Sequence, residues 1–474
     1  VKKWLLSSGL FLLLLAAVLF FMLPRMGMSP NNLRANIDIG GAMSAKLACS
    51  ARYLSGFDAA QAKADVVSYS PVFELVSISH DDEQQRTQAS LLGMGASAAQ
   101  YRPGLGCTLE RTSDFQLDSL HIPELAMSDG LWPLGELVGP ADLALQDKTD
   151  EILARDNLAG LQTRALVVVH GGDIKAESYA GDITGQTPLL GWSMGKSITA
   201  MMFGRMEMQG LLSITENNLF PAWANDQRRD ITLENLLQMN SGLAFSEVYA
   251  PGSDATEMLF LAPSAAGVAL RSPAAHPPGS YFDYSSGTSN LLMYLMTERL
   301  GGPQAALNYL WQEIFVPLGI RNAVFEPDPS GVMVASSYIY ASPRDWARLG
   351  LVNLNQGLVS RNKAGEETEL PLAGGQSRLF TQDWSWRARQ PNNSANARAY
   401  GYQFWLNVGG EQLRWPDLPA DAYAMTGNRQ QVVMIIPSLD MVIVRLGWSP
   451  GRYPTSSNFA ELASVVVESD LESR

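Results

Sequence analysis

The chain has 474 residues, of which 46% are hydrophobic and 17% charged. That is too apolar for a disordered segment, and long enough for two or three domains or for one large domain with extensions. A formal net charge of −13 speaks for solubility and against nucleic acid as a partner, since no basic face is offered to phosphates.

At the N-terminus, Lys2 and Lys3 precede an uncharged run from Trp4 to Leu23. Such a run is about long enough to cross ~30 Å of hydrocarbon as a helix. The positive-inside rule then leaves the N-terminus in the cytoplasm and the body outside. A cleavable signal would have a shorter apolar core followed at once by a small-x-small site. Here Phe20-Phe21-Met22-Leu23-Pro24-Arg25 follows, and the cluster Ala42-Met43-Ser44-Ala45 lies well downstream. The expectation is a single-pass anchor, residues 1–25, in a bacterial inner membrane, with the body of the chain in the periplasm. The alternative is secretion to the periplasm after signal cleavage. Cys49 and Cys107 fit no zinc site and are either two buried thiols or one disulfide. Export to an oxidising compartment favours the disulfide.

Residues 26–45 are polar and Gly/Asn-rich and read as a stalk. Beyond them an Ala-rich helical stretch, Asp58–Asp65, and a strand-like run, Val72–Ile78, suggest a small extension. Pro123, Pro133, Gly135 and Gly139-Pro140 mark a loop that closes this region, residues 26–140. The main domain is expected over 141–474. Its first helix spans Ala141–Leu158. The β-branched run Ala165–His170, the turn Gly171-Gly172 and Ile174–Tyr179 form a hairpin. Helices follow at Ser193–Gln209, ended by Gly210, at Leu233–Met239 and at Ser289–Leu300. Val432–Ile436 and Met441–Leu446 flank the turn Pro437-Ser438-Leu439-Asp440, and Asn458–Ser469 is a closing helix. Strands at both ends with helices between predict one antiparallel sheet built from the first and last segments, plus a helical insertion.

Two motifs overlap on Ser193. Gly191-Trp192-Ser193-Met194-Gly195 matches G-x-S-x-G, a nucleophile elbow, and Ser193-Met194-Gly195-Lys196 matches S-x-x-K. The elbow needs a buried strand before the serine and a later histidine. The preceding segment is a poor strand, and the one later histidine, His276, sits in Ala-Ala-His-Pro-Pro-Gly. The S-x-x-K reading needs a helix, in which residues i and i+3 share a face. A lysine buried there loses charge by desolvation and serves as a base to Ser193. Further on, Tyr284 in Pro278-Gly279-Ser280-Tyr281-Phe282-Asp283-Tyr284-Ser285-Ser286 resembles the Tyr-x-Asn or Tyr-x-Ser element of S-x-x-K enzymes, where the phenol relays a proton. Met425-Thr426-Gly427, just before the last hairpin, stands in the place of their Lys-Thr-Gly strand. Backbone amides there and at Ser193 would form an oxyanion hole.

With these motifs in this order, the chain resembles the β-lactamase-related serine hydrolases of the penicillin-binding-protein/class C β-lactamase superfamily. Within it the similarity is closest to 6-aminohexanoate-dimer (nylon-oligomer) hydrolase-like proteins. Gly191-Trp-Ser-Met-Gly-Lys-Ser197, Leu236-Leu-Gln-Met-Asn-Ser-Gly-Leu243, Glu247-Val-Tyr249, Gly427-Asn-Arg-Gln-Gln431 and Val442-Ile-Val-Arg-Leu-Gly447 carry it. Cys49-Ser50 and Leu105-Gly-Cys107 extend it into the N-terminal region. The resemblance implies an α/β (α+β) fold, with an antiparallel sheet flanked by helices, a helical subdomain and the active site between them. It implies hydrolysis of a small amide or ester through an acyl-enzyme, with no metal or cofactor. Tyr249, Ser286, Thr426 and Gly427 are the implied substrate contacts. Ser286 replaces an asparagine of many relatives. Met425 replaces a lysine or histidine that binds a substrate carboxylate, which disfavours penicillins and points to short esters and uncharged amides. Arg429 is either a substitute charge or a structural salt-bridge partner. A true β-lactamase or DD-peptidase, and a catalytically silent ectodomain acting as a sensor, are the competing readings.

Overall fold

The computed structural model describes residues 33–123, 130–359 and 377–472, in two units. The expected membrane segment Trp4–Leu23 lies outside the described residues. Among the described residues no helix is long and apolar enough to cross a membrane.

The first unit comprises residues 33–102, 107–112 and 246–263 of the described chain. Helix α1 (Leu33–Tyr53) replaces much of the expected stalk. Its small residues explain why. Ala42, Ala45 and Ala48 are fully buried, and a Cβ on Gly41 would lie 2.0 Å from the carbonyl oxygen of Gly95. The stripe lets α1 lie flush on the sheet β1 (Val76–Asp81), β2 (Arg86–Leu91), β3 (Met94–Arg102) and β4 (Gly106–Leu109), whose strands stand in sequence order. Helix α2 (Ala59–Val67) is capped by Asp58, which accepts from the Gln61 amide. The expected strand Val72–Ile78 is divided. Pro71–Leu75 forms a 3₁₀ turn capped by Ser70, and the strand starts at Val76. Cys49 of α1 and Cys107 of β4 form a disulfide with Cα atoms 6.0 Å apart. Residues 246–263 also belong here, a departure from the expected boundary at residue 140. Their helix Asp254–Phe260 ends where the Phe260 carbonyl accepts from Arg111 at 2.9 Å.

The second unit is built on a six-stranded sheet. Its strands are β5 (Thr163–His170), β6 (Asp173–Tyr179), β10 (Trp405–Leu406), β11 (Tyr423–Gly427), β12 (Gln431–Ile436) and β13 (Met441–Gly447). Their spatial order is β10-β11-β12-β13-β5-β6, and every neighbouring pair is antiparallel. First and last chain segments thus share one sheet, as expected. The longer helices are α3 (Leu143–Leu158), α4 (Gly195–Met208), α5 (Ser286–Leu300), α6 (Pro343–Leu354) and α7 (Thr455–Glu472). Leu145 and Ile152 of α3 and Phe459 and Leu462 of α7 pack with Leu166, Val168, Met434 and Ile443 on one face. On the other face α6 comes close at Gly350, where a Cβ would lie 2.5 Å from Val442 and 2.9 Å from Val433. Cover on both faces explains why β5, β12 and β13 are nearly continuous apolar runs.

A second, three-stranded sheet was not legible beforehand. β7 (Leu189–Leu190), β9 (Ile339–Ala341) and β8 (Ala323–Phe325) pair in that order. Strands of two or three residues carry no periodicity to read. They nevertheless aim the chain into the segment that bears Ser193.

Candidate active site

β7 delivers the chain to a tight turn. The Gly191 amide donates to the Ile339 carbonyl at 2.8 Å. A Cβ on Gly191 would lie 2.2 Å from the Trp346 ring, so only glycine fits. Trp192 follows with φ +49°, a left-handed conformation that costs a non-glycine residue about 1–3 kcal/mol. Trp192–Met194 is then a 3₁₀ turn and α4 begins at Gly195, two residues later than expected. The geometry survives the change, because residues i and i+3 of a 3₁₀ turn also share a face. Lys196 Nζ donates to Ser193 Oγ at 3.0 Å, to Ser286 Oγ at 3.1 Å and to the Ser336 carbonyl at 2.9 Å. Lys196 is 1% exposed, whereas Ser193 is half-buried and open to a reactant.

Tyr284 stands beside this pair, with Lys196 Nζ 5.0 Å from its ring centroid. Its ring stacks on Trp405 at 5.2 Å and meets Tyr400 edge-on at 5.8 Å. The phenol is thereby fixed in orientation by aromatic packing. Ser286, at the start of α5, is fully buried and accepts from Lys196, which makes it a positioning residue for the amine. The expectation from the sequence was a substrate contact at this position.

Several supporting residues were not picked out in the sequence. Asn290, one turn along α5, accepts from the Ser336 amide and donates to Ser336 Oγ, both at 3.1 Å. It thus holds the carbonyl that receives Lys196. The Gln403 carbonyl accepts from Ser197 at 2.6 Å, its Oε1 accepts from Ser289 at 2.7 Å, and its Nε2 donates to the Leu237 carbonyl at 2.7 Å. One residue, through its backbone carbonyl and its side chain, therefore ties α4 to α5. The only cue was the aromatic density of Tyr400-Gly-Tyr-Gln-Phe-Trp405.

The end of β11 abuts the turn before the serine. A Cβ on Gly427 would lie 2.1 Å from the Gly191 carbonyl oxygen. Thr426 is half-buried and pairs with Val432. Met425, 0% exposed, pairs with Val433 and is part of the core. Arg429 is not an exposed substitute for the missing cation. It is buried at φ +60°, with its guanidinium 5.8 Å from the Trp448 ring centroid. Tyr249 lies in the first unit, half exposed, and its hydroxyl donates to Glu247 at 3.1 Å. His276 is exposed and stacks on Tyr281 at 4.3 Å. Lys196, not a histidine, meets Ser193, so the elbow reading fails. Among the described residues no group of three or more His, Cys, Asp or Glu side chains could hold a metal ion.

This architecture is that of the penicillin-binding-protein/β-lactamase superfamily. Residues 146–463 match the Beta-lactamase family, and the chain belongs to it. Solved structures share the fold at low identity. A Bacillus anthracis protein, provisionally named a 6-aminohexanoate-dimer hydrolase, is 18% identical with a TM-score of 0.50, covering 67% of this chain and 82% of that one. A class C β-lactamase is 14% identical with a TM-score of 0.50, covering 69% and 96%. EstCE1, a hydrolase with promiscuous acyltransferase activity, is 13% identical with a TM-score of 0.54, covering 68% and 98%. Among curated proteins none matches.

Proposed function

We propose that the protein hydrolyses a small amide or ester through an acyl-enzyme on Ser193. The observation that carries this reading is the buried Lys196 amine 3.0 Å from the half-buried Ser193 hydroxyl. Two further acceptors, Ser286 Oγ and the Ser336 carbonyl, are neutral. An amine so placed has its lone pair directed at the serine proton once it has shed its own. Lys196 takes that proton as Ser193 Oγ attacks the carbonyl carbon. Backbone amides at Ser193 and just beyond Gly427 receive the oxyanion, a role supported by the close approach of Gly427 to Gly191. Tyr284 passes a proton to the departing nitrogen or oxygen. Water then adds to the acyl carbon, gives a proton back through the same groups, and releases the acid and free Ser193. Burial of Met425 in the core supports a substrate other than a penicillin, since no cation replaces it at that point of β11.

A fluorophosphonate probe tests the assignment directly. Peptide mapping should find the adduct on Ser193, and 4-nitrophenyl acetate should be turned over. An unlabelled Ser193 in folded protein, with label elsewhere or nowhere, would leave a silent binding ectodomain as the better reading. The membrane anchor and periplasmic location of the N-terminal reading are part of the same proposal. Full-length protein that keeps its first residues and sediments with inner membrane would support them.

A further inference from the structure

The β2–β3 hairpin of the first unit closes in a two-residue turn, Leu92-Gly93, with Leu91 and Met94 paired across its base. Both turn residues are left-handed, at φ +54° and +71°. Such a turn favours Asn-Gly, because asparagine tolerates the left-handed region and leucine is crowded there. Leu92 is also 58% exposed. Neither turn chemistry nor burial accounts for a leucine at this point. Two more apolar side chains stand beside it. Leu75, whose carbonyl accepts from the Leu92 amide at 3.4 Å, is 51% exposed, and Met94 is 50% exposed. The three adjoin the buried cluster of Ile37, Val72 and Leu91. They form a contiguous apolar patch, unlike leucines scattered singly over a surface.

The place of the patch in the unit says what it faces. At the C-terminal end of α1, Arg52 donates to Asp82 at 2.9 Å and Tyr53 to the Asp81 carbonyl at 3.0 Å, both at the β1–β2 turn. Nearer the N-terminal end, a Cβ on Gly41 would lie 2.0 Å from the Gly95 carbonyl oxygen, and a Cβ on Gly95 would lie 2.6 Å from that of Ile37. The N-terminal turns of α1 therefore lie on the tip of the hairpin, and the patch shares one end of the unit with the start of α1. Leu33 comes ten residues after Leu23, which closes the uncharged run Trp4–Leu23. Ten residues reach at most about 35 Å. A bilayer spanned by that run would lie within this reach of the start of α1.

We propose that Leu75, Leu92 and Met94 are a lipid-contacting foot, which rests in the headgroup and upper acyl region of the bilayer. The inference rests on the membrane-anchor reading and goes beyond it, since an anchor alone needs no apolar side chains on the folded body. Three side chains bind a bilayer weakly by themselves. A short tether changes the balance, because it holds the foot at the surface at an effective concentration on the order of millimolar. Once seated, the foot fixes how the first unit stands on the membrane and takes the leucine of the left-handed turn out of water.

The full chain tests this in vesicles of phosphatidylethanolamine and phosphatidylglycerol. Its two cysteines are joined to each other, so an added cysteine takes a fluorophore alone. An environment-sensitive nitrobenzoxadiazole label is placed on Glu74→Cys, beside the patch, or on Glu83→Cys, at the β1–β2 turn at the far end of the unit. Both positions are exposed. At 74 the emission should shift to the blue and be quenched by lipid spin-labelled near the headgroup, and at 83 neither should happen. Leu92→Asn/Met94→Thr should abolish the shift and the quenching at 74. Asparagine suits the left-handed turn, so the thermal midpoint should not fall. Should the double variant not fold, the contrast between 74 and 83 decides. A label at 74 that stays aqueous in a chain floating with the vesicles overturns the foot and leaves the anchor reading standing. Quenching that persists in the folded double variant also overturns it. Copies cross-linked through residue 74 in place of quenching would assign the patch to a second copy of the chain. A chain that does not float with the vesicles overturns the anchor reading and the foot together.

Discussion

Ser193 and Lys196 are three residues apart, so any helical turn brings them together. What distinguishes this pair is its surroundings. Lys196 donates to Ser193 on its own turn and to Ser286 and Ser336 from two distant segments. General-base assistance is worth about 10²–10⁴-fold, and loss of the nucleophile at least as much. Ser193→Ala and Lys196→Ala should each lower kcat/KM for 4-nitrophenyl acetate by about three orders of magnitude. The double variant should lose little more, because the two act as a unit. Tyr284→Phe keeps the stack on Trp405 and removes the hydroxyl, and should cost about 10²-fold. His276→Ala should leave the rate within about twofold, since the ring stacks on Tyr281 at the surface. Activity that survives Lys196→Ala but not His276→Ala would refute the assignment. At this scale the S-x-x-K pair and Tyr284 were legible, because their cues are local spacings. Ser336, Asn290 and Gln403 were not, because nothing local marks a carbonyl or amide that meets its partner across the fold.

Elements place these residues through turns whose chemistry is less visible. The turn between β8 and β9 leads to Ser336, and Asp328 organises it. Asp328 Oδ1 accepts from the Ser330 amide at 2.9 Å and its hydroxyl at 2.6 Å, and Oδ2 accepts from the Ala265 amide at 2.8 Å. Burial of this carboxyl raises its pKa from 3.8 to about 6. A raised folded-state pKa means that the contribution to stability is complete below pH 3.8 and is lost as pH rises through about 6. The thermal-midpoint advantage of wild type over Asp328→Asn should therefore be greatest near pH 4 and shrink by pH 7. An advantage that grows over that interval would mean that the hydrogen bonds to the carboxylate outweigh its burial. The main helices and the closing hairpin were readable from periodicity and caps. Helix α1 was not, because Gly40, Gly41 and Ala42 look like a linker until a sheet lies against them.

On the scale of the whole molecule, the disulfide links α1 to β4 across 58 residues of chain within the first unit. Closing so long a span is worth about 2–4 kcal/mol, chiefly by restricting the unfolded chain. Cys49→Ser should lower the unfolding free energy by about that amount in urea titration. Ser193, in the second unit, should still react with fluorophosphonate. Equal midpoints for the variant and wild type would show that the bond adds nothing to stability.

The amino-acid sequence by itself determined the spacing that brings Lys196 to Ser193, the antiparallel sheet of first and last segments, and membership of the β-lactamase superfamily. All of these rest on short-range periodicity or on motifs that keep their order along the chain. Tertiary structure alone decided that Ser286 holds the lysine, that Met425 and Arg429 are buried, and that residues 246–263 join the N-terminal unit. Each of these depends on which face of a strand or helix is covered and by what. Pairings between distant segments settle that, and the sequence carries no local mark of them.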